Sequence, residues 1–306
     1  MKKKIIILAG GISKERKISI KTAKSVQGEL KKNKFKSLIV DTKYEFLDKI
    51  RSYKPDVVFN ALHGQFGEDG SIQTILELEG IKYTHSGPIA SSLAMDKELS
   101  KLIFIKNKIL TPRYIILKND AYFHKKKLIN QIVKKLGFPV VIKPTNEGSS
   151  VNVFICNKQN FLNKIKKLKF YDEILIEEFI GGREIQAAIL GNRKLGAIEL
   201  KPRRKFYDYK AKYSVSAKTE HIIPVDLTKK NYDRLMNISI KAHKLLGCKG
   251  VSRSDFKFYK NRFYLLETNT QPGMTNLSLV PEIARFCGMS FINLIRWIIN
   301  DASIKR

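Results

Sequence analysis

The most constraining feature of the sequence is a pair of segments near its C-terminal end that predicts an antiparallel hairpin. Gly250 to Tyr259 and Arg262 to Asn269 are typical of strands, and they flank the turn residues Lys260-Asn261. Pairing across such a hairpin can bring Asp255 beside Glu267. The sequence therefore predicts a sheet that carries two carboxylates side by side.

The end of the second strand, Leu265 to Thr275, combines oxygen-bearing side chains with a turn. Because a strand repeats every two residues, Glu267 and Asn269 point to the same face. Mg²⁺ takes carboxylate and amide oxygens as ligands, together with water and substrate phosphates. Pro272-Gly273 then turns the backbone where open sheets usually hold ligands. The stretch is also typical of an ordinary polar strand end that enters a turn. Evidence from the rest of the chain is needed to choose between this interpretation and a metal site.

The composition predicts a globular protein with a large excess of positive charge. A chain of 306 residues with 43% hydrophobic content is long enough for two or three domains with packed cores. It has 58 lysines and arginines against 28 acidic residues, a formal net charge of +30. This charge permits binding to nucleic acid or to an anionic membrane. The lysines are scattered in short runs, so we expect phosphate-bearing small ligands and neither a nucleic-acid nor a membrane partner.

Cysteine usage and hydropathy indicate a reducing compartment. The three cysteines are widely spaced (Cys156, Cys248 and Cys287), so neither a disulfide framework nor a Cys-x-x-Cys metal site is present. Ile5 to Ala9 is shorter than the core of a signal peptide, and charged residues follow it closely. No stretch approaches the roughly 20 apolar residues that cross a bilayer. We therefore expect a cytoplasmic protein.

Strand and helix patterns alternate in the N-terminal part of the chain. Lys4 to Leu8 predicts a strand that ends at Gly10-Gly11 and leads into a helix. Asp56 to Leu62 and Ile81 to Tyr83 predict further strands, with Ser71 to Leu78 as a helix between them. This βαβ order is typical of a parallel sheet.

Two polar residues of this part stand where a ligand could bind. Glu15 starts a helix, where a carboxylate faces the positive end of the dipole, but it could equally bind a substrate ammonium group. His63 opens a loop, His63 to Gly70, that contains three glycines and two acids at the end of a strand. A single histidine is more often structural than catalytic, so it is the whole loop that suggests a ligand site.

The middle of the chain contains a second candidate ligand loop. Pro88 to Lys106 is predicted to be helical, and Pro139 to Ile142 to be a strand that runs into Lys143 and the loop Pro144 to Ser150. Backbone N–H groups, hydroxyl groups and an ammonium group all donate to phosphate oxygens, and Lys143 favours this phosphate-binding interpretation. The alternative is an ordinary hairpin, because Val151 to Ile155 resumes a strand pattern.

Two later segments fit a nucleotide-binding cleft. Ile174 to Phe179 predicts a strand with Glu177-Glu178, and a turn leads through Glu184 into the next strand. Main-chain groups and a carboxylate between two lobes can bind an adenine and a ribose, although a hairpin with surface acids is the alternative. Arg203 to Lys212 is basic and aromatic and shows no clear helix or strand periodicity. We interpret it as a long loop that closes as a lid.

Together these motifs resemble those of the ATP-grasp enzymes and, within them, the D-alanine–D-alanine ligase family. The resemblance covers essentially the whole chain, with several motifs in the same order. The motifs are Gly10-Gly11 with Ser13 and Glu15-Arg16, NALHGQFGEDG (60–70), AMDK (94–97), KPTNEGSS (143–150), FYDYKAKY (206–213) and LLETNTQPGMTNLSLVP (265–281). The resemblance implies a mixed α+β and α/β chain with the three-domain ATP-grasp fold. The N-terminal parallel-sheet domain would span 1–95, the central lobe 96–180, and the C-terminal lobe 181–306 with a lid at 203–216.

The resemblance also implies which residues bind ATP and metal. Two Mg²⁺ ions, or Mn²⁺ in their place, would be held by Asp255, Glu267 and Asn269, with Glu267 bridging both ions. Nucleotide binding is implied for Lys97, Lys143, Glu177, Glu178, Ile180, Glu184 and Lys212.

By the same resemblance, a further set of residues surrounds two D-alanine molecules. Catalytic roles are implied for Glu15, Ser149, Tyr213, Arg253 and Gly273, and substrate binding for Glu15, His63, Arg253, Ser278 and Leu279. Glu15 would bind the first ammonium group in a network with Ser149 and Tyr213. Arg253 and the Gly273 N–H group would stabilise an oxyanion. Tyr213 favours an amine over a hydroxyl group as the second nucleophile.

The implied activity is an ATP- and Mg²⁺-dependent ligation of two D-alanines to D-alanyl-D-alanine for peptidoglycan synthesis. A carboxylate is a poor electrophile, so it first takes the γ-phosphate to form D-alanyl phosphate, and the second amine then displaces phosphate. Both steps develop negative charge that cations stabilise. A homodimer is expected from the family. The alternatives are an ATP-grasp ligase for a different amino acid or D-lactate, and a basic nucleic-acid-binding protein.

Overall fold

Three β-sheets organise the part of the chain that the structure, a computed structural model, describes. That part comprises residues 3–118, 125–148, 151–201 and 219–306, with only the backbone of 125 and 126. The predicted lid, 203–216, lies outside these residues, and so do Ser149, Lys212 and Tyr213.

The N-terminal sheet is parallel, with the strand order β2-β1-β3. Its elements are β1 (Lys4–Ala9), α1 (Arg16–Lys32), β2 (Lys36–Asp41), α2 (Phe46–Tyr53), β3 (Val57–Asn60) and α3 (Ser71–Leu78). The four residues from Ile5 to Leu8 are fully buried, as expected of a parallel strand that is covered on both faces. The predicted parallel βαβ arrangement is confirmed, although β2 and α2 were not predicted.

The segment Ile81 to Tyr83 does not form the predicted strand. Tyr83 makes a single parallel bridge with Val58. The pairing goes no further because the Thr84 hydroxyl group accepts the Asn60 N–H group at 3.0 Å, where a ladder would use a backbone carbonyl. The prediction was wrong because a side chain replaces the next rung of the ladder.

The helix predicted over 88–106 consists of two helices, α4 (Pro88–Met95) and α5 (Lys97–Lys106). Asp96 separates them with an extended backbone, and its carboxylate accepts the N–H groups of Glu98 and Leu99, both at 2.9 Å. A side chain that caps two free amides starts a new helix. The prediction of one continuous helix was therefore wrong, and the predicted nucleotide-binding lysine is the first residue of α5.

The central sheet is antiparallel, with the strand order β4-β7-β5-β6. Its elements are β4 (Tyr114–Lys118), α6 (Lys125–Lys135), β5 (Val140–Pro144), β6 (Phe154–Cys156), α7 (Phe161–Ile165), a 3₁₀ turn (Lys166–Leu168) and β7 (Glu173–Glu178). An apolar core that includes Ile132, Ile142 and Phe161 joins the sheet to its helices. Because β5 and β6 pair antiparallel, the loop after Lys143 connects the strands of a hairpin.

The C-terminal sheet is antiparallel and contains the predicted hairpin, in the strand order β10-β9-β8-β11-β12. Its elements are β8 (Arg183–Leu190), β9 (Arg193–Lys201), β10 (Glu220–Ile222), α8 (Lys229–Leu245), β11 (Val251–Tyr259) and β12 (Arg262–Asn269). Asp255 is the cross-strand partner of Glu267, and Arg253 that of Asn269, so the predicted pairing is confirmed.

Two final helices, α9 (Leu279–Phe286) and α10 (Phe291–Asp301), join the N-terminal and C-terminal sheets. Ile283 and Leu294 of these helices share one apolar core with residues of both sheets, including Ile5 and Val251. Among the described elements, no helix has the length and apolarity required to cross a bilayer.

Candidate active site

A cleft of about 800 Å³ lies between the central and C-terminal sheets. Clefts between two lobes are common binding places for small-molecule ligands. It is lined by six residues that were predicted to bind the nucleotide, Lys97, Lys143, Glu177, Glu178, Ile180 and Glu184. Asp255 and Glu267, two of the predicted metal ligands, line it as well. The fold therefore brings together residues that stand up to 170 positions apart in the sequence.

Lys143 and Glu177 line this cleft and form a group of three buried charges with Lys101, which lies behind them. Lys143 Nζ donates to Glu177 Oε1 at 2.7 Å, and Lys101 Nζ lies 3.0 Å from Oε2. Burial alone raises the pKa of Glu177, but the two positive charges outweigh it and the pKa is lowered. Lys101 is not among the residues that were predicted from the sequence. The available signal was its position four residues after Lys97, on the same face of a helix.

The other acidic residues of the cleft are paired with basic residues. Glu184 Oε2 accepts a hydrogen bond from Lys257 Nζ at 2.9 Å. Glu178 accepts the backbone N–H group of Arg113 at 2.9 Å and its guanidinium at 2.8 Å. Both carboxylates are therefore held in position before a ligand binds.

A second cleft of about 670 Å³ adjoins the first. Its lining includes six of the predicted residues, His63, Lys97, Arg253, Glu267, Asn269 and Gly273. Lys97, Glu147 and Glu267 line both clefts, and we call these three residues the shared wall. Two ligands that occupy the two clefts would therefore meet at the same side chains.

Lys97 is the cation of the shared wall. Its Nζ donates to the Glu147 carbonyl at 2.6 Å and lies 3.9 Å from Glu267 Oε2. Burial lowers the pKa of Lys97, and the negative charge of Glu267 opposes this effect. The ammonium group is held where it can neutralise negative charge on a ligand in either cleft.

The three predicted metal ligands, Asp255, Glu267 and Asn269, have their side-chain oxygens on the β11-β12 hairpin. Asp255 accepts two hydrogen bonds from the Arg253 guanidinium, at 2.7 and 2.9 Å, and Asn269 Oδ1 accepts the Gln271 N–H group at 2.7 Å. Within the described ranges, no group of three or more His, Cys, Asp or Glu side chains could hold a metal ion. A divalent ion here would need the Asn269 oxygen and ligand oxygens beside the carboxylates of Asp255 and Glu267. That donor set suits Mg²⁺.

The residues predicted for the first substrate lie close to the second cleft. His63 Nδ1 is 3.1 Å from Glu68 Oε1, and its Nε2 is 3.1 Å from Thr22 Oγ1. Glu15 is buried, and a Cβ atom built on Gly148 would come within 2.9 Å of Glu15 Oε2. The absence of a side chain at Gly148 thus allows the loop after β5 to approach Glu15. The other members of the predicted Glu15 network lie outside the described residues.

The segment after β12 holds the residues predicted for the second substrate. A Cβ atom on Gly273 would lie 3.1 Å from Ser278 Oγ, which accepts the Thr275 N–H group at 3.0 Å. Leu279 begins α9 and is packed against the core that the N-terminal and C-terminal sheets share. Ser278 is therefore fixed next to Gly273, which lines the second cleft.

Two family models match most of the chain, and a relative matches its whole length. The model described as D-ala D-ala ligase C-terminus matches residues 103–300, and that described as D-ala D-ala ligase N-terminus matches residues 41–86. The D-alanine–D-alanine ligase of Pelagibacter ubique (strain HTCC1062) is 64% identical over 309 residues, which cover 100% of each chain. The chain belongs to the D-alanine–D-alanine ligase family.

Further members of the ligase family are similar in sequence and in fold. The D-alanine–D-alanine ligase of Zymomonas mobilis subsp. mobilis is 42% identical over 98% of this chain and 94% of its own. The crystal structure of D-alanine–D-alanine ligase from Bacillus anthracis complexed with ATP has a TM-score of 0.83 and 29% identity. That match covers 98% of this chain and 97% of the other. The expected ATP-grasp fold is confirmed.

In this member of the ligase family, a buried amide pair ties the two ends of the site together. Asn60 Nδ2 donates to Gln271 Oε1 at 2.6 Å and to the Gly67 carbonyl at 3.0 Å, while Gln271 donates to the Leu62 carbonyl. These bonds join the loop after β12 to the loop after β3. This role was not predicted from the sequence, although both amides lie at or just after strand ends inside the quoted motifs.

Proposed function

We propose that the chain ligates two D-alanines to D-alanyl-D-alanine at the expense of ATP, through D-alanyl phosphate, for peptidoglycan synthesis. The observation that carries the proposal is the shared wall of the two clefts, in a chain 64% identical over its full length to a D-alanine–D-alanine ligase. A shared wall suits a reaction in which one ligand passes a phosphoryl group to the other.

ATP would occupy the first cleft. Lys97 and Lys143 would neutralise phosphate oxygens, and Lys212 would add a third ammonium group. The backbone from Glu177 to Ile180, with Glu178, would line the adenine pocket, and Glu184 would bind the ribose. The paired carboxylates of the cleft support this assignment, because they are held in position without a ligand.

Asp255, Glu267 and Asn269 would hold two Mg²⁺ ions, or Mn²⁺ ions. When bound, these ions would neutralise the triphosphate charge and polarise the γ-phosphate. The support is the donor chemistry: two carboxylates face each other across the hairpin, with an amide oxygen at its end.

The first D-alanine would bind in the second cleft, with its ammonium group on Glu15 and with His63 nearby. Glu15 would be oriented by Ser149 and Tyr213. Ser278 and Leu279 would bind the second D-alanine. The Arg253 guanidinium and the Gly273 N–H group would donate hydrogen bonds to the developing oxyanion. Both residues line the second cleft, which supports this assignment.

The reaction would proceed in two displacements. A carboxylate oxygen of the first D-alanine attacks the γ-phosphorus, and ADP leaves. The free amine of the second D-alanine then attacks the acyl carbon, and phosphate leaves after a tetrahedral intermediate. The lid at 203–216 would shield the acyl phosphate from water between the two steps.

We also propose the domain division 1–95, 96–180 and 181–306. The three sheets fall within these ranges, which supports the division, although Phe104 of α5 packs with residues of the C-terminal sheet. A homodimer and a cytoplasmic location complete the proposal. Its small-molecule partners are ATP and D-alanine.

The test is to incubate the purified protein with ATP, Mg²⁺ and D-alanine, and in parallel with L-alanine or D-lactate as the second substrate. We expect ADP, phosphate and D-alanyl-D-alanine in equal amounts. A folded protein that forms neither ADP nor dipeptide would contradict the proposal. A second substrate that outcompetes D-alanine would instead favour another ATP-grasp ligase.

A further inference from the structure

A fully buried lysine that no proposed step uses lies next to the first cleft. Lys101 is on α5, one turn after Lys97, and its side chain is 0% exposed. Its Nζ donates to Thr111 Oγ1 at 2.7 Å and to the Pro112 carbonyl at 3.4 Å, and it lies 3.0 Å from Glu177 Oε2. Burying an ammonium group is costly, so its contact with one cleft residue calls for an explanation.

The two carboxylate oxygens of Glu177 have different surroundings. Oε1 accepts a hydrogen bond from Lys143 at 2.7 Å. Oε2 lies 3.0 Å from Lys101 Nζ, which places a second positive charge beside the carboxylate. A carboxylate has about four acceptor sites. Glu177 therefore keeps acceptor capacity while it lines the cleft.

The two lysines decide which hydrogen bonds Glu177 can make. Burial favours the protonated acid, which donates as well as accepts. Lys101 and Lys143 favour the carboxylate, which only accepts. Lys143 also borders the cleft, where a ligand can compete for its ammonium group. Lys101 is buried away from any ligand, so its charge remains committed to Glu177.

We propose that Lys101 is a positioning residue that sets the base selectivity of the nucleotide cleft, by holding Glu177 as a group that only accepts hydrogen bonds. The inference rests on the proposed function, in which the base lies against Glu177. Such a carboxylate binds the exocyclic amino group of adenine and repels the carbonyl oxygen that hypoxanthine carries at the same place. Lys101 thus selects an aminopurine without touching it.

The test compares ADP and inosine diphosphate (IDP) binding by isothermal titration calorimetry in the wild type, Lys101→Met and Lys106→Met. Lys106 is an exposed residue at the end of the same helix and serves as the matched control. We expect the wild type and Lys106→Met to prefer ADP by on the order of 100-fold. Lys101→Met should reduce this preference by about tenfold, mainly through weaker ADP binding.

The dipeptide assay adds a second readout. In Lys101→Met, KM for ATP should rise by about tenfold while kcat at saturating ATP stays within about twofold, because Lys101 does not touch reacting atoms. An unchanged ADP preference in folded Lys101→Met, or no preference in the wild type, would overturn the inference. If Lys101→Met does not fold, Lys101→Gln replaces it, since it also removes the charge but keeps a polar group that can bond to Thr111 Oγ1 and the Pro112 carbonyl. An unchanged preference in that variant would overturn the inference as well.

The outcomes separate this inference from the proposed function. A wild-type protein that binds no adenine nucleotide and forms no dipeptide contradicts both. A wild type that forms dipeptide, with the same ADP preference in Lys101→Met, contradicts the role of Lys101 alone.

Discussion

Glu267 is the single residue on which the proposed chemistry most depends. Its side chain is 29% exposed and lines both clefts, so it does not hold an apolar core together. We expect Glu267→Gln to lower kcat by about 10²-fold or more, because a metal-binding charge is lost. The free energy of unfolding should change by less than about 1 kcal/mol, as for other substitutions outside the core.

The dipeptide assay and urea unfolding measure these two quantities for Glu267→Gln. Glu220→Gln is the matched control, since Glu220 is 61% exposed at the strand β10, away from both clefts. It should leave both quantities unchanged. Near-normal turnover in Glu267→Gln would mean that the metal site lies elsewhere.

Because His243 is buried, we expect the protein to lose stability in mild acid. This residue is buried on α8, and Ser252 Oγ lies 2.7 Å from its Nδ1. Burial lowers the pKa of His243 to about 4, from its ordinary value of 6.5. Below pH 6.5 the unfolded chain therefore binds a proton that the folded chain excludes until about pH 4. This group should remove about 2 kcal/mol of stability between pH 7 and pH 5.

Urea unfolding of the wild type and His243→Gln at several pH values between 7 and 5 measures this effect. The variant should be less stable at pH 7, but its stability should fall less steeply with decreasing pH. Identical slopes for the two proteins would show that His243 is not the group responsible.

Among the elements, α5 depends on a capping residue that also positions a cleft lysine. We expect Asp96→Ala to lower the free energy of unfolding by about 1 kcal/mol, because two amides of the first turn lose their acceptor. Since Lys97 is the first residue of α5, the same change should lower kcat/KM for ATP by about tenfold or more. Asp96→Asn keeps the capping oxygen and should restore most of both quantities. Equal losses in the two variants, measured by urea unfolding and steady-state kinetics, would contradict a capping role.

Some elements could be predicted from the sequence because their pattern is unambiguous. The β11-β12 hairpin has two strand-like segments around one turn, and its register brought Asp255 to Glu267 as expected. The strand β9 was missed because Gly196 interrupts its pattern. The structure explains that glycine: a Cβ atom there would lie 2.8 Å from Ile283 of α9. Such packing between distant elements leaves no periodic signal.

The residues of the candidate site also differ in whether they could be predicted from the sequence. Residues close to the ends of strands, such as Lys143 in β5 and Glu184 in β8, could be assigned to the cleft from motif and position alone. Lys101 and Gln271 could not, because their roles depend on partners that only the fold brings near. A lysine in a helical pattern is indistinguishable from a solvated one until its burial is known.

The whole molecule carries a charge of +30, whose self-repulsion opposes folding. We expect the free energy of unfolding in urea to increase when sodium chloride rises from about 0.05 M to about 0.3 M, because the Debye length falls from roughly 14 Å to roughly 6 Å. Glucose at matched osmolality is the control for effects other than screening. A decrease with salt would mean that attractive ion pairs, such as Lys14 with Glu147, outweigh the repulsion.

In the proposed function, where ATP and D-alanine occupy the two clefts, the shared wall of Lys97, Glu147 and Glu267 couples the two affinities. A ligand that reorients these side chains from one cleft changes the free energy of binding in the other. Thermodynamic linkage requires the effect to be reciprocal: the factor by which ATP alters D-alanine affinity equals the factor by which D-alanine alters ATP affinity. The potency of an inhibitor that binds in only one cleft therefore depends partly on the ligand occupancy of the other cleft.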